Sequence, residues 1–246
     1  MAIQSIFAKS KEKTITSRFR VDLVQHIDLV SDNAGIEFIS TNNPEIIVEF
    51  SAPERKHTRY TFAANVNNGV LSIESKEKRR VSFFRLEFNV SNPKIKVYLP
   101  EKQYESVTMN VVNGKISTLN LTIEDLEIET INGAVTLSNM NTKISRIQSQ
   151  NGKLSFRQLT GDIRGSVTNG SINLETDYLD RSINLSSVNG RISIHSRNQP
   201  SNVTIDVDVV LGKVEVFGKD TNRAVFGDGE NKVNISTVNG SVKVIN

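Results

Sequence analysis

Lys115, Lys153, Arg191 and Lys213 each stand directly after a glycine, and the other residues at that position are Ala134, Ser171 and Ser241. If the segments that carry them stack in register, four of the seven positions form an intermittent positive stripe pointing outward. Such a stripe captures extended polyanions, since teichoic-type polymers, anionic lipid surfaces and nucleic acids present phosphates that recur along a line. The plainer reading, a solvated face whose lysines discourage edge-to-edge pairing, is preferred on sequence grounds. A second basic cluster lies in SKEKRRVSFFR, residues 75–85, where Lys76, Lys78, Arg79, Arg80 and Arg85 surround Phe83 and Phe84. Cations beside aromatic rings bind membrane surfaces or single strands. A charged hairpin tip whose next strand sends its phenylalanines into the core accounts for the same residues and is preferred.

Catalytic chemistry has little to build on. The chain has no cysteine, which removes thiol nucleophiles, thiolate metal sites and disulfides. Its three histidines, His26, His57 and His195, are far apart. Asp206 and Asp208 alternate on one strand face and GDGEN carries Asp228 and Glu230, but none falls in the column of another. No G-x-S-x-G, HExxH or phosphate-binding loop occurs, and the aspartate-rich calcium repeat of β-rolls is absent. No catalytic residue, metal or cofactor is therefore expected. A carbohydrate-active enzyme remains as an alternative, on analogy with parallel β-helices alone.

The elements that position the stripe follow from a repeat. The glycines of Asn113-Gly114, Asn132-Gly133, Asn151-Gly152, Asn169-Gly170, Asn189-Gly190 and Asn239-Gly240, with Gly212 between the last two pairs, are spaced 19, 19, 18, 20, 22 and 28 residues apart. Two residues after them stand Ile116, Val135, Leu154, Ile172, Ile192, Val214 and Val242. Two further on come Thr118, Leu137, Phe156, Leu174, Ile194, Val216 and Val244, and Met109, Ile128, Ile147, Gly165, Leu185 and Ile235 precede their glycines by five. Alternation of this kind turns one face of each strand inward. Asn-Gly would suit a two-residue hairpin and an antiparallel meander. A second inward column at Leu121, Met140 and Leu159, where a meander needs another tight turn, favours a β-solenoid in which each coil buries its face against its neighbours. At about 4.8 Å per coil, seven coils make a rod roughly 30 Å long. In this reading the asparagines are structural, at corners where Asn and Gly accept positive φ most cheaply, and stacked Asn side chains can hydrogen-bond along the axis.

Upstream, IDLVSDNAGIEFISTNNPEIIVEF at 27–50 reads as three strands separated by turns, and YTFAANVNNGVLSIESK and LEFNVSNPKIKVYLP read as hairpins. Asn68-Gly69 looks like an early relative of the repeat, and residues 16–30 nearly satisfy a helix face through Val21, Val24, Ile27 and Leu29. No linker separates the halves. The expectation is an all-β chain forming one continuous domain over 1–246. Antiparallel-like strands and hairpins (1–105) continue into an Asn-Gly solenoid (106–246), a single elongated β-helix or roll with a repeat of about 19 residues. No apolar run approaches a membrane span. The start MAIQSIFAKSKEK places its charges after a brief apolar patch, the reverse of a secretory signal, so a cytoplasmic or non-classically exported chain is expected. The last unit, VNGSVKV, ends without a polar cap, and the open edge expected there invites a homo-oligomer.

The phrase IDLVSDNAGIEFISTNNPEIIVEF followed by recurrent xNGxI units resembles the bacterial "putative-adhesin" family of β-strand-repeat proteins, a domain of unknown function, over roughly residues 20–246. The resemblance implies a roll-like β-solenoid, an association of some members with the cell envelope and its stress responses, and no catalytic residues to carry over. The function expected is a non-enzymatic binding or structural module whose partner is an unknown protein or an envelope polyanion. Each buried member of an inward column is worth about 1.5–3 kcal/mol. Ile172→Asp is therefore expected to unfold at least the middle coils, and a thermal melt identical to wild type counts against the column assignment.

Overall fold

Alternation of apolar and polar residues at period two produces strands almost throughout the computed structural model, which describes residues 12–55, 58–79 and 92–246. In chain order the strands begin with β1 (Glu12–Arg20), β2 (His26–Asn33), β3 (Gly35–Thr41), β4 (Glu45–Pro53), β5 (Thr58–Asn67), β6 (Val70–Arg79) and β7 (Lys94–Pro100). They continue as β8 (Gln103–Asn113), β9 (Ile116–Leu119), β10 (Thr122–Asn132), β11 (Val135–Leu159), β12 (Asp162–Thr176), β13 (Ile183–Asn189) and β14 (Ile192–Ser196). The last five are β15 (Val203–Leu211), β16 (Val214–Val216), β17 (Arg223–Phe226), β18 (Asn231–Asn239) and β19 (Val242–Ile245). All belong to one 19-stranded sheet. Among the described residues no helix is long and apolar enough to cross a membrane.

Successive repeat units pair in parallel, in register. Ile128 lies between Met109 and Ile147, and Ile172 between Leu154 and Ile192. The meander alternative, which needs antiparallel neighbours, does not apply to these units. From β8/β9 to β15/β16 each rung consists of a long strand, a glycine corner and a short strand, while in β2/β3 Ala34 stands at that corner, in register with Gly114. In spatial order the nine rungs among the described residues are β6/β7, β2/β3, β8/β9, β10 with the start of β11, the rest of β11, β12, β13/β14, β18/β19 and β15/β16. The inward columns read from the sequence are buried at every described member except Val214, which is half-buried, and their apolar side chains form or pack against one core cluster. Leu121, Met140 and Leu159 fill the third side.

Spatial order departs from chain order at both ends. The last unit does not end the stack: β18 lies between β13 and β15, and β19 between β14 and β16. The open edge expected at VNGSVKV is therefore absent. The strand exposed at that end is β15, which antiparallel β17 covers only over Val203–Asp206. At the other end β6/β7 lies outside β2/β3 and is closed by antiparallel β5, β4 and β1.

Three local expectations are corrected. Residues 16–30 are not helical: a 3-10 turn at Val21–Leu23 separates β1 from β2, where Ile27 and Leu29 alternate inward. Asn68-Gly69 is not a repeat corner but a tight hairpin between β5 and β6, at φ +49° and +83°. The asparagines of the repeated pairs are not at positive φ. Their glycines answer to close approach instead: a Cβ at Gly133, Gly152 or Gly170 would lie 2.0, 1.9 or 1.7 Å from the carbonyl oxygen of the glycine one rung back. Left-handed φ falls at a second corner that the sequence reading passed over, at Asn120, Asn139 and Gln158. Gly170→Ala is expected to cost about 3 kcal/mol by overpacking the corner. Ser171→Ala beside it should stay within about 0.5 kcal/mol of wild type, and urea melts of the two variants measure the difference.

Candidate functional site

The residue after each corner glycine turns outward because the next one, two past the glycine, is buried. Lys115, Lys153, Arg191 and Lys213 are all exposed. Their spatial order differs from their order in sequence, since Ser241 of the inserted rung lies between Arg191 and Lys213. At the other end Lys115 is followed by Gly35 and then by Lys94, a member the sequence reading missed. The column reads Lys94, Gly35, Lys115, Ala134, Lys153, then Ser171, Arg191, Ser241, Lys213. A cation stands on every second rung, with a small residue between. The stripe that looks intermittent in sequence is a strict alternation in space.

These cations keep their charge for solvent. Arg191 Nε donates to Ser241 Oγ at 3.2 Å, and Lys153 Nζ donates to the Asn173 amide oxygen at 2.9 Å. None of the five takes part in an ion pair among the described residues. Beside them runs a ladder of amides. Asn113 Nδ2 donates to Asn33 Oδ1 at 2.6 Å, Asn132 to Asn113 and Asn151 to Asn132 at 2.9 Å, Asn169 to Asn151 at 3.0 Å, and Asn189 to Asn169 and Asn239 to Asn189 at 2.9 Å. Gly114, Gly133, Gly152, Gly170, Gly190 and Gly240 hold that ladder's spacing through the close approach at the corner.

Of the second basic cluster only the Lys76 and Lys78 side chains lie among the described residues. Lys76 is ion-paired to Glu74, whose hydrogen bond and charge raise its pKa. Lys78 stands opposite Arg59 in the β5–β6 hairpin. The Arg79 side chain, Arg80, Arg85, Phe83 and Phe84 lie outside the described residues, as does His57. Two further basic side chains are structural. Lys102, its pKa lowered chiefly by burial, donates to the carbonyls of Val21 (3.1 Å) and Val24. Arg181, pulled down by burial to about 10, donates to Gly161 O and Thr176 Oγ1, both at 3.0 Å.

The outer face of the long strands carries a groove that the sequence reading did not find, with two connected hollows of 630 and 610 Å³. Gln148, Ser166, Ser186 and Ser236 line both. The polar groups in it are largely engaged with one another: Asn234 Nδ2 donates to Asn184 Oδ1 at 2.9 Å, Arg146 Nη1 to Asp125 at 2.6 Å, and Arg223 lies 3.6 Å from Asp206. Asp208 shares that face, whereas Glu230 accepts from Asn202 Nδ2 at 2.9 Å in the turn beyond. His26 bonds Ser106 at 2.9 Å, and His195 stands on a different ladder between Glu175 and Ile245. Among the described residues no group of three His, Cys, Asp or Glu is placed to hold a metal ion.

The Toastrack DUF4097 family model matches residues 24–159 and again 113–245, and the chain belongs to that family. The two matches overlap over residues 113–159, within the repeated Asn-Gly units. Among solved structures the chain is similar to a "putative adhesin" from Bacteroides fragilis, 15% identical, with a TM-score of 0.50 over 95% of this chain and 97% of that one. It is also similar to a "putative cell adhesion protein" from Clostridium sporogenes, 15% identical, with a TM-score of 0.47 over 95% of this chain and 99% of that one. At this identity the likeness to the first concerns the fold. Among curated proteins none matches. The family resemblance read from the Asn-Gly units is thereby shown.

Ladder and stripe separate by mutation. Asn151→Ala removes two amide–amide bonds and is expected to cost about 1–2 kcal/mol. Lys153→Ser, two residues on, is expected to change stability by less than about 0.5 kcal/mol. Chemical denaturation of both variants distinguishes the structural column from the one left available to a partner.

Proposed function

We propose that this chain is a β-solenoid, wound in coils of about 19 residues, that acts without catalysis as an adhesin-like binding module of the bacterial cell envelope. One observation carries the reading: the corner column presents the same outward position on nine successive rungs while its inward neighbours are spent on the core. A surface repeated at one strand spacing is suited to a partner that is itself extended or repetitive. Kinship with the Toastrack DUF4097 family and the fold shared with a "putative adhesin" support an adhesive role, and the resemblance noted in the sequence supports the envelope. The unpaired cations favour a polyanion over a neutral partner within this reading. A carbohydrate-active enzyme is the competing class, with Asp206 and Asp208 as its available carboxylates on the grooved face.

The two classes part on turnover. Incubated with a panel of bacterial envelope glycans and teichoic-type polymers, with and without calcium, the full chain is expected to retain at least one polymer and release no shortened product. Product accumulating with time would overturn the non-enzymatic reading. A panel from which nothing is retained would overturn the binding reading.

A further inference from the structure

We infer that the post-glycine column is a binding site for a linear acidic polysaccharide bearing one carboxylate per disaccharide. The inference rests on the binding role proposed above and names the ligand of its cationic column. Strand spacing sets the scale. Neighbouring rungs lie about 4.8 Å apart, so Lys94, Lys115, Lys153, Arg191 and Lys213 recur about every 9.6 Å and span about 38 Å. One ring of an extended, equatorially linked polysaccharide advances by close to one strand spacing. A chain with an acid on every second sugar therefore repeats its charge over the same two rungs. Duplex nucleic acid, with a charge per about 1.7 Å of axis, is far denser than this column and matches it poorly.

The columns on either side point the same way. Towards the short strands stand Ser117, Thr136, Ser155, Asn173 and Ser193, hydroxyl and amide groups half-buried but facing outward. Across the Asn ladder the column reads Val112, Ile131, Gln150, Thr168, Val188, and its three apolar members are exposed at 39%, 39% and 43%. A polysaccharide offers each of these a partner: hydroxyls for the polar side chains of both flanks, the C–H faces of its rings for the three apolar ones and carboxylates for the cations. A polyphosphate offers only anionic oxygens for the cations. No carboxylate occupies either flank from the Lys115 rung to the Arg191 rung.

Charge is arranged differently elsewhere on the same surface. Three pairs of charged residues opposed on adjacent rungs are ion pairs, Glu37 with Lys96 at 3.4 Å, Arg157 with Glu175 at 3.4 Å, and Glu215 with Lys243 at 3.1 Å, whereas Arg146 faces Arg164. In the post-glycine column each cation faces small uncharged neighbours. Neutralisation is left to a group from outside the chain.

The test uses hyaluronan oligomers of defined length as the period-matched probe, with dextran sulfate, polyphosphate and duplex DNA for comparison. The proteins are the full chain and two variants checked for unchanged melting. The first carries Lys94→Ser, Lys115→Ser, Lys153→Ser, Arg191→Ser and Lys213→Ser. The second exchanges Lys153→Ser for Ser171→Lys, which keeps the net charge and breaks the alternation. Salt-sensitive hyaluronan binding by the full chain, reduced at least tenfold in the first variant and several-fold in the second, is expected. Wild-type binding by the second variant would overturn the period match, and tighter binding of the denser polymers would overturn the ligand class. Binding that survives in the first variant would overturn the site, yet leave the binding role standing on another surface. That role falls only if the envelope panel also retains nothing.

Discussion

The repeat depends on one steric constraint: at the corner glycines, the backbone of one rung passes too close to the next to admit a Cβ. The contact recurs between glycines that are neighbours in sequence units, such as Gly133 and Gly152, and between Gly190 and Gly240, which are not. Backbone at that distance needs its polar groups answered. Gly133 N donates to Asn151 O at 3.0 Å and Gly190 N to Asn239 O at 2.9 Å, while the Asn side chains pair along the axis. Glycine and asparagine thus perform separate tasks, the first by having no side chain and the second by having one that is donor and acceptor at once. Leu211-Gly212 shows the division at the end of the stack, where the glycine persists but the amide is not required.

That constraint explains what was legible in the sequence. Corner glycines fix the phase, so Ile116, Val135, Leu154 and Ile192 could be read as one interior from their offsets alone, and they are fully buried. Hydrophobic period and turn chemistry are local signals, and both operate inside a single unit. Of the two reasons the sequence offers for asparagine at the corner, positive φ does not apply, and hydrogen bonding of stacked side chains along the axis does. The left-handed residues Asn120 and Asn139 stand 19 residues apart with no glycine beside them, so no turn pair marks that corner in the sequence.

Spatial order was the part that no window of sequence could supply. The insertion of β18/β19 between β13/β14 and β15/β16 joins Asn189 to Asn239, 50 residues on. At the other end, β6/β7 reaches past β2/β3 by the same kind of return. Both terminal rungs carry the same outward and inward periods as the others, so their patterns match any position in the stack equally well. Closure decides between them: antiparallel β5, β4 and β17 can cover an end rung but not an internal one. The candidate site inherits this blindness, because its alternation is invisible until Ser241 is placed before Lys213 and Gly35 before Lys115.

The alternation also has an electrostatic cause that does not depend on any ligand. Two cations on adjacent rungs, about 4.8 Å apart, repel by about 0.9 kcal/mol in water, and two rungs apart by about 0.4 kcal/mol. Screening with a Debye length of about 8 Å widens the gap, leaving the wider pair at roughly a quarter of the closer one. A chain therefore has two inexpensive ways to place many charges on a stack: oppose them with acids, or space them out. The Glu37–Lys96 and Glu215–Lys243 pairs take the first and the post-glycine column takes the second. Ion pairing would have served stability equally well with the residues already used on neighbouring columns. Spacing keeps five cations available at little cost, and availability matters only to a partner that brings the opposite charge.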